Sequence, residues 1–74
     1  MTPTPPPQVE VLVNGQPRQV AAGASLAELL RAVGAPEQGV AVEVNQAIVR
    51  RADHATRRVA AGDRIEVVGL VGGG

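Results

Sequence analysis

The sequence predicts an α+β domain in which a mixed sheet of four to five strands packs against one main helix. Segments with strand patterning stand before and after a single segment of helical periodicity, and an Asn-Gly pair follows the first of them. With 74 residues, the chain is long enough for one domain. Because it contains no Phe, Trp or Tyr, its core must be built from Val, Leu, Ile and Ala.

The first two strands are predicted to form a hairpin. The segment from Val9 to Val13 is short and rich in β-branched residues, and it is followed by Asn14-Gly15. This dipeptide is the strongest short-range signal for a two-residue hairpin turn. A second strand is expected at residues 18–21.

The main helix begins with a capping box. In the stretch Ser25-Leu26-Ala27-Glu28, the serine hydroxyl can accept from the Glu28 amide while the Glu28 carboxylate accepts from the Ser25 amide. Gly34 suits the left-handed residue that ends a helix, and Pro36 prevents the helix from resuming. Apolar residues recur at positions i, i+3, i+4 and i+7 and therefore share one face of the helix: Leu26, Leu29, Leu30 and Val33.

Three further extended segments follow the helix. Residues 40–44 alternate as a half-buried strand does, and Asn45-Gln46 turns the chain into a short extended piece at 47–49. Residues 50–58 are polar and irregular, with room for a single helical turn. Residues 64–68 form the last strand after a Gly-Asp turn signal.

This order of elements predicts the β-grasp, the ubiquitin-like architecture. A hairpin alone cannot close a core, so the helix must lie across the sheet and offer its leucine face to it. The facing layer of the sheet is expected to contain Val9, Val11, Val13, Val20, Val42, Val44, Ile65 and Val67.

The chain divides into three parts. Residues 1–8 are rich in proline and lack a hydrophobic period, which indicates a disordered arm. Residues 9–69 form the β-grasp domain. Residues 70–74 are predicted to be a flexible, glycine-rich C-terminal tail.

The tail carries the predicted chemistry. Gly72, Gly73 and Gly74 have no side chain to pack and the largest backbone entropy to lose, so their structural use is small. Because they lack side chains, these residues can pass through a narrow channel and deliver the Gly74 carboxylate into another protein's active site. Such a carboxylate must be activated, most simply by attack on ATP, with Mg²⁺ supplied by the partner. A sulfur nucleophile can then displace AMP and leave a thiocarboxylate on Gly74.

Composition excludes several other functions. The chain has no cysteine or lysine, one serine and one histidine, His54, so we expect no catalytic residues, metal site or bound cofactor. Its formal net charge of zero gives no attraction to nucleic acid or membranes. The N-terminus lacks the pattern of a signal peptide, which favours a cytoplasmic protein, and we expect a monomer when it is free.

Several stretches resemble the ThiS family, the sulfur carriers of thiamine biosynthesis. The resemblance covers residues 9–74 and rests on Asn45, Ile48-Val49 with Arg51, residues 61–67, and the terminal Leu-Val-Gly-Gly-Gly. The chain departs from the family pattern at Arg50, where proline is usual, and at His54, where tryptophan is frequent. The resemblance implies that a ThiF-like enzyme adenylates the tail with Mg·ATP. A cysteine desulfurase then supplies sulfur, and thiazole synthase (ThiG) takes it into the thiazole ring.

Two surfaces are candidates for partner docking. The alternation of the strands places four apolar residues on the sheet face away from the helix: Leu12, Ala41, Val68 and Leu70. Leu12 and Val68 become neighbours if the first and last strands pair. An exposed apolar group beside the tail is typical of a docking surface. Scattered exposed aliphatic residues are the alternative interpretation. A cluster of four arginines within nine residues forms either a basic docking surface or a solvated loop: Arg50, Arg51, Arg57 and Arg58.

Other functions remain open on sequence alone. The small subunit of molybdopterin synthase uses the same fold and thiocarboxylate chemistry. A protein-conjugating modifier would instead join Gly74 to a lysine of its target. A plain interaction module would not use its terminal glycines at all.

Overall fold

A computed structural model describes residue 3 and residues 7–70, and within them one sheet and one α-helix. The strands lie in the order β2-β1-β5-β3-β4. The elements are β1 (Gln8–Val13), β2 (Gln16–Ala21), α1 (Leu26–Ala32), β3 (Val40–Val44), β4 (Ala47–Ile48), a 3-10 helix (Arg51–Asp53) and β5 (Arg64–Gly69).

The predicted hairpin is present, and its turn has the backbone that the sequence requires. Asn14 (φ 50°) and Gly15 (φ 82°) both lie in the left-handed region, which is the hallmark of a type I′ turn. β2 begins at Gln16, two residues earlier than predicted, and therefore includes Pro17. An edge strand tolerates proline because the ring nitrogen faces away from the ladder, and Pro17 lies on the free edge of the sheet.

The helix begins as predicted. The Glu28 amide donates to Ser25 Oγ and the Ser25 amide donates to Glu28 Oε1, both at 3.1 Å, so the capping box is complete. Gly34 (φ 73°) follows the last turn in the left-handed conformation.

The last strand in sequence is the central strand of the sheet. β5 runs parallel to β1 on one side and antiparallel to β3 on the other. A mixed sheet with its first and last strands side by side and one helix packed on it confirms the predicted β-grasp fold. The short helical turn expected in residues 50–58 is the 3-10 helix.

The core lies between α1 and one face of the sheet. Leu26 and Leu29 are buried, whereas Leu30 and Val33 only pack against the core from its margin. Most of the predicted facing layer is buried, but Val9 and Val67 are partly exposed. Val59, which the sequence patterning did not indicate, is only 3% exposed and belongs to the core, and its amide donates to Ala24 O just before the helix.

Two features are absent from the described residues, a membrane-spanning helix and a cluster of metal-binding side chains. Among these residues no helix is long and apolar enough to cross a membrane. They also contain no group of three or more His, Cys, Asp or Glu side chains placed to hold a metal ion.

Candidate functional site

The central strand ends at the rim of the sheet, and the candidate site is built around this end. Gly69 pairs with Val40 in the last register position of β5. The Leu70 amide donates to Gly39 O at 2.8 Å, so the strand ladder with the β3 side continues up to Leu70. Gly72, Gly73 and Gly74 lie outside the described residues, and their roles stay predictions.

Asn14 supports the other side of β5. β1 ends at Val13, which pairs with Ile65. The Asn14 amide then donates to Ile65 O at 2.9 Å, and Asn14 Oδ1 accepts from the Val67 amide at 2.8 Å. A single turn residue therefore extends the support of β5 by two positions beyond the end of β1. Local sequence patterns predict only the turn role of Asn14, because its contact with Val67 spans 53 positions.

An apolar surface lies beside the end of β5, on the sheet face away from α1. Val68 of β5 pairs with Ala41 of β3. Leu70 is the first residue after β5, and alternation places it on the same face as Val68 because its amide continues the pairing with β3. Val68 is 48% exposed and Leu70 60% exposed. We call Ala41, Val68 and Leu70 the exit patch. It contains three of the four apolar residues that were predicted for this face.

Leu12 does not belong to this patch, and the prediction that it neighbours Val68 is wrong. β1 and β5 do pair, but the parallel register places Leu12 beside Arg64. Val68 lies four residues further along β5, about 13 Å away at the rise of a strand. Between them on this face is the cross-strand pair Glu43 and Glu66. This pair of carboxylates therefore separates Leu12 from the exit patch. Because like charges at such positions repel each other, the pair also makes this part of the face unfavourable for apolar contacts.

The predicted arginine cluster is divided between two places. Arg50 Nε lies 3.4 Å from Asp53 Oδ2 in an exposed ion pair, and Arg51 begins the 3-10 helix. Arg58, by contrast, donates from Nη1 to Gly23 O and lies 3.9 Å from Glu28 Oε1 at the start of α1. Two arginines of the cluster are therefore close to carboxylates, and the docking role of Arg50 and Arg51 stays a prediction.

His54 has a definite structural role that the sequence did not reveal. Its Nε2 lies 3.0 Å from Val49 O. Because a carbonyl oxygen only accepts, the proton of the ring is on Nε2 in this arrangement. The histidine is half-buried and fixes the loop between β4 and the 3-10 helix.

Asn45 and Asp63, two residues on which the family resemblance rests, form one hydrogen-bond network. Asn45 (φ 52°) donates from Nδ2 to Asp63 Oδ1 at 3.0 Å and accepts from the Arg64 amide at 2.9 Å. Asp63 Oδ2 accepts from the Ala60 amide at 2.8 Å. The two side chains thus hold the β3–β4 turn to the start of β5, so their role is to place the central strand.

The fold and the site together define a small ubiquitin-like protein whose central strand leads into a glycine-rich C-terminal sequence. The family model described as "ThiS family" matches residues 11–74, which includes that C-terminal sequence. The chain belongs to the ThiS family.

Individual relatives agree with this assignment. The chain is 36% identical over 66 residues to the sulfur carrier protein ThiS of Escherichia coli, covering 89% of this chain and all of that protein. It is 38% identical to a thiazole synthase of Magnetococcus marinus and 35% identical to one of Paramagnetospirillum magneticum, again over 66 residues and 89% of this chain. The chain spans only 20% of the length of each of these two proteins.

Solved structures show the same fold. A crystal structure of the thiamine biosynthesis protein ThiS from Geobacter metallireducens superimposes with a TM-score of 0.78 at 32% identity, covering 89% of this chain and 100% of that one. A solution structure of a thiamine biosynthesis protein from the same organism gives a TM-score of 0.68 at 33% identity, over 89% and 88% of the two chains.

Proposed function

We propose that this protein is a sulfur carrier for thiamine biosynthesis and that its working group is the carboxylate of Gly74. The protein acts as a co-substrate of other enzymes and has no catalytic residues of its own. A ThiF-like enzyme adenylates the carboxylate, a sulfur donor system converts it to a thiocarboxylate, and thiazole synthase receives the sulfur.

The proposed chemistry has two steps. A carboxylate oxygen of Gly74 attacks the α-phosphate of ATP, and pyrophosphate leaves with its Mg²⁺. Hydrosulfide, or sulfur delivered at the same oxidation level, then attacks the acyl carbon and displaces AMP. The result is a thiocarboxylate at Gly74. Mg²⁺ and the cationic groups that stabilise the phosphates belong to the activating enzyme.

The observation that most directly supports this proposal is the position of Leu70. This residue is exposed at the end of the central strand and anchored to Gly39, so the chain continues into residues 71–74 from the rim of the sheet. Four residues reach at most about 14 Å beyond Leu70. That length carries a carboxylate into a partner's active site while the folded domain stays at its surface.

The relatives support thiazole synthase as the acceptor. In two proteins that bear that name, a segment similar to this chain accounts for a fifth of the length. A covalent link raises the effective concentration of one domain at another, which is useful when the two act in sequence. We propose that this chain makes the same encounter with a thiazole synthase.

The test is the intact mass of the purified chain after incubation with a ThiF-like enzyme, Mg·ATP and a sulfur source. We expect a gain equal to the replacement of one oxygen by sulfur. The gain disappears when Gly73 and Gly74 are deleted. It persists when residues 1–6 are deleted instead, which is a matched truncation at the opposite end.

Other outcomes contradict the proposal in distinct ways. An AMP adduct that never exchanges for sulfur points to a protein-conjugating modifier. No mass change with an active enzyme points to an interaction module. If the chain is loaded but keeps its sulfur when thiazole synthase and its other substrates are added, the acceptor is a different protein.

A further inference from the structure

A groove runs along the free side of β3, opposite the side that pairs with β5. Its walls are α1 and the segment that follows β4, and it encloses about 510 Å³, within the range of about 300–1,000 Å³ for ligand sites. We call it the edge groove and define it by Leu30, Arg31, Val40, Val49, Arg51 and His54.

The groove exists because the β3–β4 hairpin separates early. β4 pairs only with Glu43 and Val44, and one more hydrogen bond follows, from the Val49 amide to Val42 O at 2.9 Å. The chain then turns away into the 3-10 helix. The Val49 carbonyl, which would accept from the Val42 amide in a longer hairpin, lies 3.0 Å from His54 Nε2 instead.

The separation exposes hydrogen-bonding groups of β3 to the groove. Gly39 O accepts from the Leu70 amide and the Asn45 amide donates to Arg64 O, so odd-numbered residues point their backbone groups toward β5. The N–H and C=O of Val40 therefore point the other way. Among the described residues, no hydrogen bond to either group occurs on this side. An unpaired strand edge is a template for an added strand.

The charges around the groove are mainly positive. Arg31, Arg50 and Arg51 line it, against the single carboxylate of Glu37. Arg50 pairs with Asp53, whereas neither Arg31 nor Arg51 forms an ion pair within the part of the chain that the structure describes. The floor contributes apolar surface from Leu30 and Val49, both of which are only partly buried. The groove therefore complements an apolar side chain with carboxylates beside it.

We propose that the edge groove binds an extended segment of a partner protein, which pairs with Val40 as an added strand and places an apolar side chain between flanking carboxylates. The apolar side chain packs against Leu30 and Val49, and the carboxylates meet Arg31 and Arg51. This interaction goes beyond the proposed sulfur transfer, because none of its contacts uses Gly74.

The edge groove and Leu70, the first residue of the tail, lie on opposite sides of β3. Val40 pairs with Gly69 on one side and faces the groove on the other. A partner segment in the groove therefore leaves the exit patch and Leu70 accessible, so one partner can occupy the groove while the tail is in use.

The test is a nuclear magnetic resonance titration of the full chain with a capped peptide of sequence Asp-Asp-Val-Ile-Val-Asp. We expect shifts of the amides of Leu30, Val40, Val42 and Arg51. We also expect the exchange of the Val40 amide with solvent to slow by about tenfold, since it becomes paired. A peptide with lysines in place of the aspartates, and one with proline at the central position, should bind far more weakly.

Two charge-reversal variants test whether the peptide binds in the edge groove. Arg51→Glu should weaken binding of the acidic peptide by about fivefold or more, the size expected of an exposed ion pair. Arg18→Glu makes the same change on β2, at the opposite edge of the sheet, and should leave the affinity unchanged.

Several results would overturn the proposal. They are absence of binding at millimolar peptide, equal binding of the lysine peptide, and shifts confined to β2. Val40 shifts that depend on protein concentration without peptide assign the groove to a second copy of this chain. Binding that appears only after deletion of Gly73 and Gly74 assigns it to the tail. The sulfur-loading assay is separate, so failure of either proposal is recognised independently.

Discussion

At the scale of single residues, Ser25 has the clearest energetic role. Its hydroxyl accepts from the Glu28 amide in the first turn of a helix of only seven residues. A helix this short is not stable by itself, so its cap and its packing determine whether it forms.

Replacing Ser25 with alanine should lower the free energy of unfolding by about 1 kcal/mol, because the amide at the helix start loses its acceptor. For a domain of this size that corresponds to a fall of about 4–8 °C in the melting temperature. Thermal unfolding followed by circular dichroism measures it. Ser25→Thr keeps the hydroxyl and is the control; if both variants lose the same stability, the cap is not the cause.

The partner of Ser25 in the capping box gives the stability a dependence on pH. Hydrogen bonds from the backbone amide and then the side chain of Ser25, with smaller contributions from nearby arginines, lower the pKa of Glu28 below 4.5. Because the folded state holds the proton less tightly than the unfolded state, the ionised carboxylate stabilises the fold above about pH 4.5. That contribution is lost as the pH falls through the lowered pKa.

We therefore expect Glu28→Gln to reduce the acid sensitivity of the domain. The variant keeps an oxygen that accepts from the Ser25 amide but has no charge to lose. Denaturant unfolding between pH 3 and pH 7 should show the wild type losing more stability than the variant on the acid side of about pH 4.5. Parallel curves for the two proteins would mean that Glu28 titrates alike in the folded and unfolded states.

At the scale of elements, the end of β5 depends on a residue that belongs to another element. Asn14 both forms the β1–β2 turn and accepts from the Val67 amide. The prediction of a hairpin at Asn14-Gly15 follows from sequence because turn chemistry is local. The contact with Val67 spans 53 positions and depends on the pairing of β1 with β5, which local patterns do not encode.

Asn14→Gly separates these two roles. Glycine adopts the positive φ without strain but removes the acceptor, so we expect the Val67 amide to exchange faster and the domain to lose about 1 kcal/mol. Asn14→Asp keeps an acceptor oxygen and should protect Val67 as the wild type does. The measurement is amide hydrogen exchange. Unchanged protection of Val67 in the glycine variant would show that the Asn14 side chain does not hold β5.

At the scale of the whole molecule, the two faces of the sheet have different uses. One face packs on α1, and the other presents the exit patch beside the root of the tail. Ile48, 69% exposed, lies on this second face beside Glu43. We propose that partners which handle the tail contact the exit patch, because this exposed apolar surface contains Leu70, the first residue of the tail.

Val68→Asp should therefore reduce sulfur loading by about tenfold or more, since it places a buried charge in the interface. It should lower the free energy of unfolding by about 1 kcal/mol, because aspartate has a low strand propensity and lies close to Glu66, so the domain stays folded. Gln19→Asp, on β2, changes the same face at a distance and should load normally. Normal loading of Val68→Asp would remove the exit patch from the interface, and comparison with Leu12→Asp tests the remaining predicted residue.

The helix and its cap, the hairpin turn and the alternating strands can be predicted from the sequence, because each depends on neighbours within a few residues. Their order along the chain then predicts the β-grasp. The sequence also contained the family resemblance that the comparisons bear out. Only the folded structure shows the register that separates Leu12 from Val68, the burial of Val59, and the hydrogen bond between Asn14 and Val67. These features depend on which strands lie side by side and how far each pairing extends. Both are set by packing between segments far apart in the chain, where local patterns carry no information.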